Sequence, residues 1–237
     1  MKIFSASNVR GDESEHSQQR SSGVKITAIK AQVKSENRVS IFLDGKYSFS
    51  LTLDQLLEQG LKKNQELEES DVKRMKRLSD EGKLKQRTLE WVMGRPHSTR
   101  EFRDYLYKKK ADKELITAWV DEFTDKNYLN DESFARWFAE NRRRKNKSNR
   151  AISSELFGKG VSSTIAASVI AELDNEESIN NDDEVESESS EITALKQLVE
   201  KLKDRPRYSA DEQKFKRYLV SKGFRYDDIK KVLGELP

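Results

Sequence analysis

Apolar and polar positions follow two different periods along the chain. From Val24 the period is close to two. Ile26-Thr27-Ala28-Ile29 opens a β-prone run, Val39, Ile41 and Leu43 alternate with Ser40 and Phe42, and Lys46-Tyr47-Ser48-Phe49-Ser50-Leu51 alternates again. Asp44-Gly45 separates the last two runs, and that pair favours a tight type I′ hairpin because glycine accepts positive φ. The pattern predicts a three-stranded antiparallel sheet. Thr52-Leu53-Asp54-Gln55 then has the form of a capping box, in which the threonine hydroxyl reaches forward and the glutamine amide reaches back. A short helix is expected to lay Leu53, Leu56 and Leu57 on the sheet and to stop at Gly60. So few strands need such a cover.

From about Ser70 the period becomes helical. Ser70-Asp71 is the expected start, with Val72, Met75 and Leu78 on one stripe. Beyond it one apolar template recurs three times. With Leu106, Leu156 and Leu219 as anchors, Phe102, Ile152 and Phe215 stand four residues earlier. Ile116, Ala166 and Ile229 stand ten later, Val120, Ile170 and Leu233 fourteen later, and Phe123, Leu173 and Leu236 seventeen later. Lys109, Lys159 and Lys222 follow the anchors by three. In two copies the lysine precedes a glycine and an apolar residue, Gly160-Val161 and Gly223-Phe224, the sequence of a helix that ends in a left-handed glycine. The first copy has Lys110-Ala111 instead, so a weaker cap is expected there.

A third helix is predicted upstream of each pair, over roughly Leu84–Gly94, Asp131–Arg143 and Ile192–Lys203. The unit is then a three-helix repeat of about 45 residues. Agreement at five positions without a gap argues against three unrelated hairpins. A unit this small cannot bury its seam alone, so stacking into an elongated, curved array is expected. Asn127 suits a left-handed cap and Asp131 an N-cap between the first two copies.

The fold class expected is mainly α, three tandem three-helix repeats preceded by a small antiparallel β-sheet with a helix. Residues 1–22 form a disordered tail, 23–69 the sheet and helix, and 70–130 the first repeat with its lead-in helix. Residues 131–174 form the second repeat, 175–190 an acidic flexible tether, and 191–237 the third repeat.

Composition narrows the chemistry. Charged residues are 37% and hydrophobic ones 34%, which disfavours a single large core with a deep pocket. Lys and Arg number 45 against 42 Asp and Glu, so the distribution of charge matters more than the net +3. The chain has no cysteine, which excludes disulfides, thiol catalysis and thiolate zinc sites and agrees with a reducing cytoplasm. No segment has signal-peptide character or the length of apolar chain that spans a bilayer. There is no phosphate-binding glycine loop, no dinucleotide fingerprint and no His-Glu-x-x-His. The histidines are His16 in the tail and His97 in a turn. The acids cluster only in the tether, where they look solvating. No enzyme activity and no cofactor or metal is expected.

The densest positive run is Arg142-Arg143-Arg144-Lys145-Asn146-Lys147-Ser148-Asn149-Arg150, between two helices of the second copy. One reading is a solvated loop whose cations suit a helix C-terminus. The other is a patch that binds phosphates with strong salt dependence, through Arg142, Arg143, Arg144, Lys145, Lys147 and Arg150. Lys83, Lys85 and Arg87 extend the patch only if they share its face. Trp91, Trp119 and Trp137 are better placed as core than as stacking platforms for bases.

The order and spacing of these segments resemble the RecX family, regulators of the RecA recombinase. Tyr128-Leu129-Asn130-Asp131-Glu132-Ser133-Phe134-Ala135, Glu155-Leu156-Phe157-Gly158-Lys159-Gly160-Val161 and Arg217-Tyr218-Leu219-Val220-Ser221-Lys222-Gly223-Phe224 carry the likeness, joined by Arg95-Pro96-His97-Ser98 and Glu101-Phe102. The strand-rich segment from Ile26 to Leu67 is similar to an N-terminal extension of some members. Asn127 and Lys110 stand where the family usually has glycine, and Asn146 and Ser148 where it often does. The resemblance implies a monomer that binds the RecA filament on single-stranded DNA, inhibits ATP hydrolysis and strand exchange, and promotes filament loss. An array touching several subunits gains avidity from modest contacts. The residues alone also admit a general nucleic-acid-binding helical protein, a scaffold for another protein, or a metal-dependent nuclease.

Overall fold

A computed structural model describes residues 23–33, 35–179 and 190–234. The tail expected over 1–22, most of the tether and Leu236 lie outside them. The chain divides into two compact units, with the boundary between Arg87 and Thr88.

The first unit is built on an antiparallel sheet of β1 (Val24–Gln32), β2 (Ser35–Leu43), β3 (Lys46–Thr52) and β4 (Glu66–Leu67), in the order β3-β2-β1-β4. The predicted hairpin is present: Leu43 pairs with Lys46, and Asp44 and Gly45 take φ of 47° and 81°, positive at both turn positions as type I′ demands. The fourth strand was not predicted. Its two residues pair with Val24 and Lys25 and are too short to show a period. The register Ile29↔Ile41 and Val39↔Leu51 sets one apolar face, and Ile26, Val39, Ile41, Leu43, Phe49 and Leu51 are buried there.

Helix α1 (Leu53–Glu58) carries the predicted capping box, with Thr52 Oγ1 accepting from the Gln55 amide at 3.1 Å and Gln55 Oε1 accepting from the Thr52 N–H at 3.0 Å. Its cover of the sheet is smaller than expected. Leu56 alone packs on the core, while Leu53 and Leu57 are exposed. The lid is α2 (Glu69–Met93), which buries Met75 and flanks it with Val72 and Leu78. One helix of 25 residues stands where a start at Ser70 and a separate helix from Leu84 were expected.

The second unit continues from Thr88 through α3 (Thr99–Lys108), α4 (Lys113–Asp125), α5 (Asp131–Arg143), α6 (Asn149–Gly158) and α7 (Ser163–Ile179). It ends with α8 (Ser190–Leu202), the short α9 (Pro206–Ser209), α10 (Glu212–Ser221) and α11 (Tyr226–Gly234). The template is the core of each copy. Phe102, Ile152 and Phe215, the three anchor leucines, and Ile116, Ala166 and Ile229 are all buried, as are Val120, Ile170, Phe123 and Leu173. Trp119 is core, as expected, and Trp137 packs partly buried against the second copy's core. The third copy adds α9, whose Tyr208 stacks on Phe215 at 5.0 Å.

The positions where glycine gives way to another residue still turn. Lys110, Asn127 and Asn146 take φ of 61°, 57° and 55°. The Lys110 turn closes with Ala111 N–H to the Leu106 carbonyl at 3.2 Å, the same bond that Val161 makes to Leu156 at 3.1 Å. The cap of α5 is Asn130, not Asp131: its side chain accepts from the Glu132 and Ser133 amides at 2.9 Å each. At the start of the expected tether α7 runs on to Ile179, and the acids there are not merely solvating. Asp174 binds Arg143 and Asn149, and Glu176 binds Arg136 at 3.0 Å, so the α7 carboxylates answer the cations of α5.

Candidate nucleic-acid interface

The copies join through one recurring contact. The N-cap serine of the middle helix in one copy meets the Lys-Gly turn that ends the middle helix of the next. Ser98 accepts from the Glu101 amide at 3.1 Å and donates its hydroxyl to the Lys159 carbonyl at 2.7 Å. Ser148 accepts from the Ala151 amide at 3.2 Å, and its own N–H donates to the Lys222 carbonyl at 3.0 Å. Both serines are buried.

The glycines permit the approach. A Cβ on Gly160 would lie 2.6 Å from Arg100 Cβ, and one on Gly223 would lie 2.5 Å from Ala151 Cβ. Their φ of 84° and 101° also suits glycine alone. The first copy's turn receives no preceding repeat, and there Lys110 is tolerated.

The two joints differ in charge. In the first, Glu101 gathers the cations: Arg95 Nη1 lies 2.9 Å and Lys159 Nζ 3.0 Å from its carboxylate oxygens, and His97 Nδ1 lies 3.1 Å away. Asp131, one residue past the cap of α5, accepts from the Thr99 amide at 2.7 Å. Burial favours the protonated form of Glu101, but the bonds from Lys159, Arg95 and His97 outweigh it and hold the carboxyl below its ordinary range. His97 is buried under Trp91, ring centroids 3.5 Å apart, with Nε2 3.2 Å from the Trp91 carbonyl. Burial first, then the Arg95 charge, pushes its pKa below the ordinary histidine value, against the pull of Glu101.

Fifty positions on, the same template places carry Lys145 for Arg95, Lys147 for His97 and Ala151 for Glu101, while Arg150 repeats the arginine of Arg100. The second joint therefore gains a lysine in place of a histidine and loses the carboxylate that neutralised the first. This is the basic run that stood out in the sequence.

The structure divides that run into two groups. Arg142 pairs with Glu155 at 2.5 Å and lies over the Phe138 ring at 4.5 Å. Arg143 binds Asp174 and reaches Asn149 Oδ1 at 3.1 Å. Lys147 donates to the Ser221 carbonyl at 3.1 Å and lies 3.7 Å from Glu155. These three cations hold the fold. Arg144, Lys145 and Arg150 are exposed. Arg144 has only Glu140 nearby, at 3.7 Å, and neither Lys145 nor Arg150 has a carboxylate within 4 Å among the described residues. Lys83 pairs with Asp80 at 3.1 Å and, with Lys85 and Arg87, belongs to the first unit.

Beside the turn a cleft of about 230 Å³ opens toward α8, lined by Arg143, Lys147, Ser148, Glu191, Lys201 and Phe224. Burial raises the Glu191 carboxyl pKa, against a hydrogen bond with Ser148. A turn of exposed cations beside a cleft with further cations can neutralise phosphates. No cluster of three or more metal-ligating side chains occurs among the described residues. Sequence reasoning missed the joints themselves. The signal was available in Ser98 and Ser148, each eight residues before its anchor leucine.

Comparison with known proteins bears on this architecture. Residues 24–68 match the RecX N-terminal domain, and residues 130–170 match the second three-helix domain of RecX. The regulatory protein RecX of Bacillus velezensis is 32% identical over 213 residues, 89% of this chain and 76% of that protein. That of Clostridium botulinum is 28% identical over 211 residues, 89% of this chain and 95% of its own length. Among solved structures, a crystal structure of regulatory protein RecX aligns with 90% of this chain and 100% of its own at a TM-score of 0.63 and 22% identity, a likeness of fold. The RecX of Lactobacillus salivarius covers 66% of this chain at a TM-score of 0.51. The shared template, the strand-rich first unit and an identity of 32% across three quarters of a relative's length place this chain in the RecX family.

Proposed function

We propose that the chain modulates the RecA recombinase, mainly as an inhibitor, by binding the RecA filament on single-stranded DNA and lowering its ATPase and strand exchange. Membership in a family of regulatory proteins carries this reading. The tandem joints support it, because a row of linked modules engages several subunits at once. Arg144, Lys145 and Arg150 then meet DNA phosphates, while Arg142, Arg143 and Lys147 hold the turn in place. Binding alone accounts for such an effect, without a catalytic group or cofactor. The protein acts as a monomer in the cytoplasm, and no helix among the described residues is long and apolar enough to cross a membrane.

Titration into a RecA ATPase assay on single-stranded DNA, at fixed moderate salt, tests the proposal. Inhibition at less than one molecule per RecA is expected, weakened by reversing Arg144, Lys145 and Arg150 to glutamate. The exposed cations also favour a second reading, a general nucleic-acid-binding protein. Salt-sensitive binding to free DNA with no effect on RecA would establish that one instead.

A further inference from the structure

The residue after the anchor leucine is Tyr107 in the first copy, Phe157 in the second and Val220 in the third. These side chains are exposed to 53%, 72% and 46%. Among the described residues this is the one template position where every copy shows a large exposed apolar side chain. Single exposed apolar residues are ordinary on protein surfaces. The same place in three diverged copies is not, because the anchor leucine already fills each core and its neighbour is turned about 100° away. None of the three belongs to the buried core of its copy.

The joints set their spacing. The end of α6 docks on the start of α3, and the end of α10 docks on the start of α6. The three residues therefore stand at successive helix ends, separated by about one ten-residue helix, roughly 15 Å. Their surroundings are graded. Phe157, the most exposed, has Ser153 and Ser154 one turn back and open space at Gly158. Tyr107 is flanked by Arg103, Asp104 and Lys110, and Val220 by Arg217 and by Lys216, whose ammonium pairs with Glu212, so both flanks are basic on balance. A neutral apolar centre between basic flanks is the anatomy of a protein interface, with its core and rim. Base stacking fits less well. Val220 has no π-face, and the basic turn lies at the opposite end of α6 from Phe157.

We infer that Tyr107, Phe157 and Val220 form a docking ladder for a protein surface, with Phe157 as its central anchor. The occupant is the filament of identical recombinase subunits, presenting an apolar socket rimmed by carboxylates to meet the flanking cations. This rests on the function proposed above and names the face of the chain that serves it.

The test pairs two readouts for the full chain and its Phe157→Ser, Tyr107→Ser and Val220→Ser variants. One is the concentration that half-inhibits RecA ATPase on single-stranded DNA. The other is the affinity for a labelled oligonucleotide without RecA. Phe157→Ser is expected to raise the half-inhibiting concentration about ten-fold and the other two about three-fold each, as for an anchor and its periphery. Oligonucleotide affinity and melting temperature stay at the parent values. Because the chain has no cysteine, Ser154→Cys can carry a single environment-sensitive dye one turn from Phe157. Its emission shifts with the filament and not with DNA alone. Unchanged inhibition by all three variants overturns the ladder while leaving the proposed function standing. An equal loss of oligonucleotide affinity overturns it in favour of base stacking. No inhibition by the parent chain overturns both the ladder and the function on which it rests.

Discussion

The two joints between repeats bring the same places together, an N-cap serine and the carbonyl of a Lys-Gly turn, and differ in what surrounds them. The first closes around Glu101, which binds a buried His97 and the half-exposed Arg95 and Lys159. The second has Ala151 in that place and Lys147 for the histidine, and it leaves Arg144, Lys145 and Arg150 at the surface. The first joint gathers two cations on one carboxylate; the second has no carboxylate at that place. In a tandem array the stacking contact must be kept, but the residues around it are free to diverge. The place where the template loses its carboxylate is then the place to look for an anionic partner.

The largest effect should come from removing what both joints share. Gly160→Ala combines a left-handed φ with a collision against Arg100, and a loss of about 2–4 kcal/mol in urea unfolding is expected. Gly223→Ala, against Ala151, should cost about as much. A neutral result at either would mean that the copies do not dock as described.

Changing the charges distinguishes the joints. Glu101→Gln should destabilise by about 1–3 kcal/mol, since it leaves partly buried cations without their carboxylate. Ala151→Glu is the mirror experiment. It should cost about 1–3 kcal/mol, because the larger side chain starts beside Gly223 in the packed joint, and lower the slope of log affinity for single-stranded DNA against log salt by about one. An unchanged slope would remove the second joint from the DNA interface.

Acid should weaken the first joint. The folded pKa of His97 lies below its unfolded value near 6.5, so its contribution is full above that pH and declines as pH falls toward the folded value. The slope cannot exceed about 1.4 kcal/mol per pH unit for one proton. Urea midpoints at pH 7.5 and 5.5 should show the decline, and His97→Asn should flatten it. Glu101, also depressed, acts only below its ordinary value of 4.5. The smallest effect belongs to the turn that takes part in neither joint. Lys110→Gly relieves a left-handed lysine and should stabilise by at most about 1 kcal/mol.

Much of this molecule is legible in its sequence, because periodicity and turn chemistry are local. The anchors at Leu106, Leu156 and Leu219, the Asp44-Gly45 hairpin, the Thr52–Gln55 box and the span of α5 need only neighbouring residues to specify them. The basic run between Arg142 and Arg150 was also visible as composition. Three features were settled by contacts between residues far apart in the chain. Tertiary pairing made Leu67 part of a strand and left Leu53 and Leu57 in solvent, though their local pattern said otherwise. It turned Asp174 and Glu176, apparently solvating acids, into counter-ions for α5. It also divided the basic run, holding Arg142, Arg143 and Lys147 while leaving Arg144, Lys145 and Arg150 exposed. The sequence by itself determined which elements form and that they repeat, since helix and strand period are properties of short windows. Only the tertiary structure decided which charges are spent inside the protein, because a cation's partner lies on another helix and no window of sequence contains both.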